Sequence, residues 1–325
     1  MKQRVTIVCI SVILLLAVSG GCKQSDKASD SRLSIVCTVF PQYDWVRQIL
    51  GSKTDGIAVS LLMSGKADLH NYQPTADDIV KISACDLFIY VGGESDAWAG
   101  TVLKQAANTN MVTINLLRTL GEKAKLEEDP LHEAAGVHHH EDEEDEAEYD
   151  EHVWLSLKNA EVFCAAIADT LAALDADNAA YYKSNLDIYI KKLSELHAEY
   201  LAITRTAPVK TLLFGDRFPF RYLADEYNLR AYAAFPGCSA ETEASFETIA
   251  LLAKKTDELH LNVVIVTESA DTSIAKTIIG NTKNKNQKIL VLDSMQSVTP
   301  QDVKNGTTYL SIMENNLTVL QEALR

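Results

Sequence analysis

Histidine and acid are concentrated in the same place. Residues 127–151 carry His132, His138, His139 and His140, half of the chain's eight histidines, along with an almost unbroken acidic run. Imidazole and carboxylate together suit divalent first-row cations, and a solvated tract can hold several of them weakly without folding. The same composition also describes a charged surface loop whose only role is solubility. Three further stretches place ligand-type side chains where strands should give way to loops. SGKADLHNYQPTADDI contains His70, DEHVWLSLKNA contains His152 directly behind the acidic tract, and LVLDSM contains Asp293. Taken singly, a histidine beside a turn is most often a surface or capping group, and a carboxylate at a strand end most often a helix cap.

The elements that must position these groups form two similar sets. Short apolar runs rich in β-branched residues occur at 33–39, 56–63, 87–91 and 112–116, and again at 211–214, 230–235, 263–267 and 288–292, with helical patterns between them. Strands apolar on both faces belong to parallel sheets covered by helices on each side. The expected fold is therefore two doubly wound α/β lobes, residues 33–158 and 207–325, with a ligand cleft between them where strand ends converge. From 159 to 206 there is no strand pattern, no Pro and no Gly, which predicts one long continuous helix joining the lobes. Residues 307–324 read as an amphipathic helix.

The N-terminus fixes the compartment. Lys2 and Arg4 precede an apolar stretch from Val5 to Val18, followed by Gly20, Gly21 and Cys22. Residues 1–22 read as a secretory signal whose ending looks like a lipobox, with Cys22 as the lipid anchor, the rival being ordinary cleavage near Gly21 that leaves a free thiol; the polar residues 23–32 read as a tether. An extracytoplasmic monomer held at a bacterial membrane is expected. The formal net charge is −15, yet nine acids lie between Glu141 and Glu151 and leave −6 for the rest. The acidity is local, and nothing basic suggests nucleic acid. Cys37, Cys85, Cys164 and Cys238 are widely spaced, unlike a zinc ribbon or a disulfide scaffold. The first three sit in apolar runs and read as core residues; Cys238, in a Pro-Gly-Cys-Ser turn, does not.

Together the motifs resemble those of the metal-binding ABC-transporter solute-binding lipoproteins, the zinc and manganese receptors, over nearly the whole mature chain. That family's Gly-x-Asp-x-His-x-Tyr-x-Pro-Thr stretch is matched, with slightly shifted spacing, by Gly65, Asp68, His70, Tyr72, Pro74 and Thr75. Its Asp-Pro-His-Val-Trp-Leu-x-x-x-Asn segment is matched by Asp150, His152, Val153, Trp154, Leu155 and Asn159, with Glu151 in place of the proline, and its Leu-Asp-Pro-Leu segment by Leu292 and Asp293. Zinc-type members insert a His- and acid-rich loop before the second histidine, as this chain does.

The resemblance implies a receptor that takes up Zn²⁺, with Mn²⁺ or Fe²⁺ as alternatives, through His70, His152 and Asp293, and passes it to an ABC permease. It departs at the third ligand, a His or Glu in the family. Aligning Tyr222 and Leu223 without gaps puts Arg217 there, and a guanidinium has no lone pair to give. Asp216 could substitute, or Glu268 or Cys238 could reach the site, or a water or loop histidine could fill it; Arg217 could instead hold a carboxylate in place. Two rivals remain from the residues alone. A zinc hydrolase shares the pattern of three ligands and an open position, although neither His-Glu-x-x-His nor Gly-x-Ser-x-Gly occurs. A surface adhesin on the same fold is the other.

Overall fold

A computed structural model describes residues 33–65, 68–128, 148–239 and 243–325. The signal and tether with Cys22, and the tract histidines His132, His138, His139 and His140, lie outside the described residues. Among those described, no helix is long and apolar enough to cross a membrane.

The first sheet contains β1 (Leu33–Cys37), β2 (Ile57–Leu61), β3 (Leu87–Tyr90) and β4 (Val112–Asn115) in the order β2-β1-β3-β4. The second contains β5 (Thr211–Phe218), β6 (Arg230–Pro236), β7 (Val263–Thr267) and β8 (Lys288–Leu292) in the order β6-β5-β7-β8. Every pairing is parallel. Alternate residues feed different cores, which is why the runs are apolar throughout. Ile35, Cys37, Leu87 and Ile89 enter one cluster while Val36 and Phe88 enter another. In the second sheet Leu212, Phe214, Val263 and Ile265 face the first of these clusters, whereas Leu213, Val264 and Val266 face away. That shared cluster runs from Ile35 to Leu324, so the two lobes are joined by continuous apolar packing.

The long helix between the lobes is present but shorter than expected, since residues 159–206 are not one continuous helix. Helix α5 (Leu157–Leu174) and helix α6 (Ala179–Thr206) are separated by a short 3₁₀ turn, Ala176–Asn178. Asp175 leaves helical geometry at φ −136°, ψ 74°, and its carboxylate accepts from the Asn178 amide at 2.8 Å and the Tyr182 hydroxyl at 2.5 Å. Short polar side chains that bond locally in this way compete with helix continuation, and no Pro or Gly is needed to break it. The two helices fold back on each other, with Ser194 donating to Glu161 at 2.6 Å. Helix α6, 28 residues long, spans about 42 Å at the usual rise. The C-terminal helix (Tyr309–Ala323) returns to the first lobe: Tyr309 donates its backbone N–H to Asp44 at 3.0 Å and its hydroxyl to the Trp154 carbonyl at 2.7 Å.

Strand β5 carries a bulge, since Phe214 pairs with Ala233 and Arg217 with Phe235, leaving two residues of β5 opposite one of β6. At Gly215 the strand meets the helix Ser273–Gly280 so closely that a Cβ would stand 2.6 Å from the Ala275 Cα. Backbone cannot yield as a side-chain tip can, so Gly215→Ala is expected to lower stability by about 1–3 kcal/mol. Urea unfolding measures this, and a change within about 0.5 kcal/mol, as for an ordinary surface substitution, would show the approach to be looser than described.

Candidate metal centre

His70 and His152 come from separate loops and meet with their Nε2 atoms 3.3 Å apart. His70 lies on a 3₁₀ turn, Leu69–Asn71, capped by Asp68, whose Oδ1 accepts from the His70 N–H at 3.1 Å. The exit from the turn is fixed by Thr75 and Asp78, which form a capping box at the start of helix α2 (Ala76–Ala84), and by the Tyr72 hydroxyl, which donates to Asp78 at 3.0 Å. His152 precedes a second 3₁₀ turn, Val153–Leu155, in which all three residues are fully buried. Trp154 donates its indole N–H to the Ser294 carbonyl at 2.9 Å, and Asn159 donates to the Val153 carbonyl at 3.1 Å. The motif residues around each histidine thus hold the backbone that carries it.

Both rings are held by carboxylates on their far side. Asp150 Oδ1 accepts from the His152 backbone N–H at 2.8 Å and lies 3.1 Å from its Nδ1. His70 Nδ1 lies 2.9 Å from Ser95 Oγ and 3.4 Å from Glu151 Oε2. A carboxylate at Nδ1 selects the tautomer with the proton there, which leaves the Nε2 lone pair free. Glu151 is 2 % exposed and Asp150 1 %. These two acids are therefore built into the site, although by sequence they belong to the solvated tract. Burial opposes the ionisation of Glu151, but the His70 ring and the Ser95 hydroxyl and N–H hold its carboxyl below the usual range. Gly93, at φ 80°, lies so close to Glu151 that a Cβ would overlap its carboxylate. Nothing in the sequence signals Ser95 or Gly93 as participants.

The third group beside the rings is Cys238. Its Sγ and the two imidazoles offer ligand atoms all within 4.8 Å of one another, the one such cluster of three or more among the described residues. Cys238 follows β6, and its backbone N–H donates to Glu127 at 2.6 Å. Burial, with the charges of Asp150, Glu127 and Glu151, pushes its thiol up. Cys37, Cys85 and Cys164 are buried, as their apolar surroundings imply.

The structure places the other expected ligands elsewhere. The β5 bulge turns Asp216 toward β7, where its carboxylate accepts from the Thr267 N–H at 3.0 Å and from the Thr267 hydroxyl. Glu268 is enclosed by the turn after β8, accepting from the N–H groups of Ser294 at 2.8 Å and Gln296 at 3.0 Å. Asp293 is nearer in kind. Its loop is stitched to both histidine segments, through Trp154 and through the Leu69 N–H, which donates to Gln296 at 3.3 Å, but its carboxylate does not join the cluster. Burial and the adjacent Glu268 charge raise its pKa to about 7. Arg217 holds a carboxylate that is itself no ligand, reaching across the lobes to Asp68 at 2.6 Å. Although burial favours the neutral acid, this guanidinium keeps the Asp68 carboxyl below its ordinary value.

The tract enters and leaves through a short antiparallel stem, with Leu126 bridged to Tyr149 and the Glu127 N–H donating to the Glu148 carbonyl at 2.9 Å. The Tyr222 hydroxyl, from the second lobe, donates to the Asp150 carbonyl at 3.0 Å. Beside His70, a cavity of about 200 Å³ is bordered by Glu94, Glu148, Glu151 and Cys238. An acid-rimmed approach of this kind raises the local concentration of cations.

Residues 35–323 match the family described as the periplasmic A component of the zinc-uptake complex. The high-affinity zinc uptake system protein ZnuA of Bacillus subtilis is 29 % identical over 320 residues, covering 97 % of this chain and 96 % of that protein. The zinc-binding lipoprotein AdcA of Streptococcus pneumoniae is 30 % identical over 303 residues, covering 92 % of this chain, which spans only 57 % of that relative's length. Among solved structures, the zinc-bound ZnuA-like domain of the same AdcA superposes with a TM-score of 0.70 at 27 % identity, covering 90 % of this chain and 99 % of that domain. The metal-dependent lipoprotein YcdH of Bacillus subtilis gives a TM-score of 0.72, also at 27 % identity, over 90 % of this chain and 99 % of that one. With its two-lobed fold and paired histidines, the chain belongs to the family of periplasmic A components of zinc-uptake complexes.

Proposed function

We propose that this protein is an extracytoplasmic receptor that captures Zn²⁺ between His70 and His152 and delivers it to an ABC-transporter permease, tethered to the membrane through Cys22. The observation that carries the reading is the pair of Nε2 atoms 3.3 Å apart. With the ring protons on the Nδ1 side, toward Asp150 for His152 and toward Ser95 and Glu151 for His70, two lone pairs would face each other across that gap, an arrangement a cation relieves. Two nitrogens of a tetrahedral Zn²⁺ site, each at about 2.0–2.1 Å from the metal, stand roughly 3.3–3.4 Å apart. A metal therefore needs little rearrangement of the rings. The zinc-bound relative supports zinc as the cargo, and the family match favours a receptor over a hydrolase. Asp293, whose loop is tied to both histidine segments, would contribute negative charge.

His70→Ala and His152→Ala are each expected to lower Zn²⁺ affinity more than the about 10–100-fold that follows loss of an orienting partner, with unchanged far-ultraviolet dichroism. Calorimetric titration of the chelator-treated protein measures it; tight binding surviving in the double variant would refute the assignment.

The His- and acid-rich tract serves as an auxiliary collector. Since Glu127 and Glu148 are already paired across the stem, replacing residues 130–147 with a short Gly-Ser turn leaves Asp150 and Glu151 in place. One tight zinc should remain while weak, multiple binding disappears; loss of the tight zinc would make the tract a primary ligand source.

Asp293 gives a pH-dependent expectation. Its folded pKa of about 7 lies above the roughly 3.9 of an unfolded Asp, so the folded state prefers the protonated acid. Its contribution to stability falls as pH rises from about 4 to about 7 and stays unfavourable above that. Metal-free Asp293→Asn should accordingly melt higher than the parent at pH 8, with the gap closing toward pH 4. Zinc should narrow the gap at pH 8, because a neighbouring cation favours the charged carboxylate. An equal or lower melting temperature for the metal-free variant at pH 8 would contradict this.

A further inference from the structure

We infer that Cys238 is the third protein ligand, a thiolate supplied by the second lobe that completes an N₂S site with His70 and His152. This rests on the metal-binding reading above and deepens it. Three observations carry it. First, the Cys238 Sγ and the two imidazoles are the one group of three or more ligand atoms gathered within 4.8 Å among the described residues. A tetrahedral zinc site with Zn–S near 2.3 Å and Zn–N near 2.0–2.1 Å places sulfur and nitrogen about 3.6 Å apart, so closure on the metal requires a movement of roughly an ångström.

Second, the loop carrying Cys238 is fixed on both sides. Gly237 packs where a Cβ would stand 2.8 Å from the Phe218 carbonyl oxygen, and the backbone N–H of Cys238 is bound by Glu127. Arg217, which stands where a ligand was expected and cannot be one, donates to the carbonyl of Ser239, the next residue, at 3.3 Å, and to Asp68 at 2.6 Å. One guanidinium thus ties the cysteine loop to the turn that carries His70.

Third, the surroundings are wrong for a cysteine used as apolar filler. Cys238 borders the same cavity as His70, Ser95, Glu94 and Glu151, whereas buried structural cysteines pack among hydrophobic side chains. On binding, the thiol releases its proton to solvent as the sulfur–metal bond forms, and the neutral imidazoles bind without losing one. A soft thiolate beside two imidazoles suits Zn²⁺ and disfavours Mn²⁺, which prefers oxygen.

Co²⁺ is the probe, added to the chelator-treated full chain under reducing conditions. The parent protein is expected to show intense visible ligand-field bands of a tetrahedral site and a near-ultraviolet thiolate-to-cobalt charge-transfer band, both saturating at one equivalent. Cys238→Ser should lose the charge-transfer band and bind Zn²⁺ more than about 10–100-fold more weakly, beyond the loss of an orienting partner. Cys238→His should restore tight binding and tetrahedral ligand-field bands without charge transfer, which also guards against a serine variant that merely fails to fold. Tetrahedral bands in the parent without charge transfer, or a Cys238→Ser protein with parental affinity, would overturn the thiolate ligand and leave the receptor reading standing. An absence of saturable cobalt binding in the parent would overturn both.

Discussion

Everything at this site depends on two carboxylates gripping two imidazoles from behind. Asp150 and Glu151 are adjacent in sequence and deeply buried, yet they serve different rings, Asp150 its near neighbour His152 and Glu151 the distant His70. A buried carboxylate is costly unless it is bonded, so the pair imposes a demand on the surrounding fold. Asp150 meets it with the backbone N–H of His152 at 2.8 Å. Glu151 meets it with the Ser95 N–H, which donates to Oε1 at 2.8 Å, and with the His70 ring, whose Nδ1 lies 3.4 Å from Oε2. The result is a pair of rings whose Nε2 atoms are turned toward each other, 3.3 Å apart, before any metal arrives.

The architecture serves that constraint. Loops following the carboxyl ends of parallel strands converge between the lobes, as in open α/β sheets generally. Here they are locked by contacts that cross from one lobe to the other. Trp154 bonds to the loop after β8, Tyr222 to the stem of the acidic tract, Tyr309 to the segment behind His152, and Arg217 to the cap of the His70 turn. The apolar core is continuous across these contacts. Such a frame resists hinge motion, which suits a receptor that holds a small ion through a few short bonds rather than by wrapping a large ligand.

Much of this was legible in the sequence because parallel strands and paired motifs leave strong signals. The eight strands appear as apolar runs since both faces of each sheet are covered, and His70 and His152 stand inside segments whose other residues, Asp68, Tyr72, Thr75, Trp154 and Asn159, are all used to hold backbone. What was not legible depends on local geometry that spacing cannot encode. The break at Asp175 arises from one carboxylate bonding Asn178 and Tyr182, without the Pro or Gly that would announce it. The β5 bulge sends Asp216 to Thr267 and Arg217 to Asp68, so a gapless alignment of this strand end does not give the direction of its side chains. Glu268 looked available because it ends a strand, but it is enclosed by a turn that forms only in three dimensions. Asp150 and Glu151 stood in the matched segment, but their burial behind the rings was not legible, since composition cannot separate them from the run of acids that precedes them.

The central claim is that two imidazoles prearranged by carboxylates form the heart of a zinc site. Zinc K-edge X-ray absorption on the protein loaded with one equivalent tests it most directly, because imidazole rings leave an outer-shell scattering signature that carboxylates and waters do not. The account predicts two imidazoles at about 2.0–2.1 Å from zinc. A first shell made of oxygen alone, with no imidazole scattering, would contradict it.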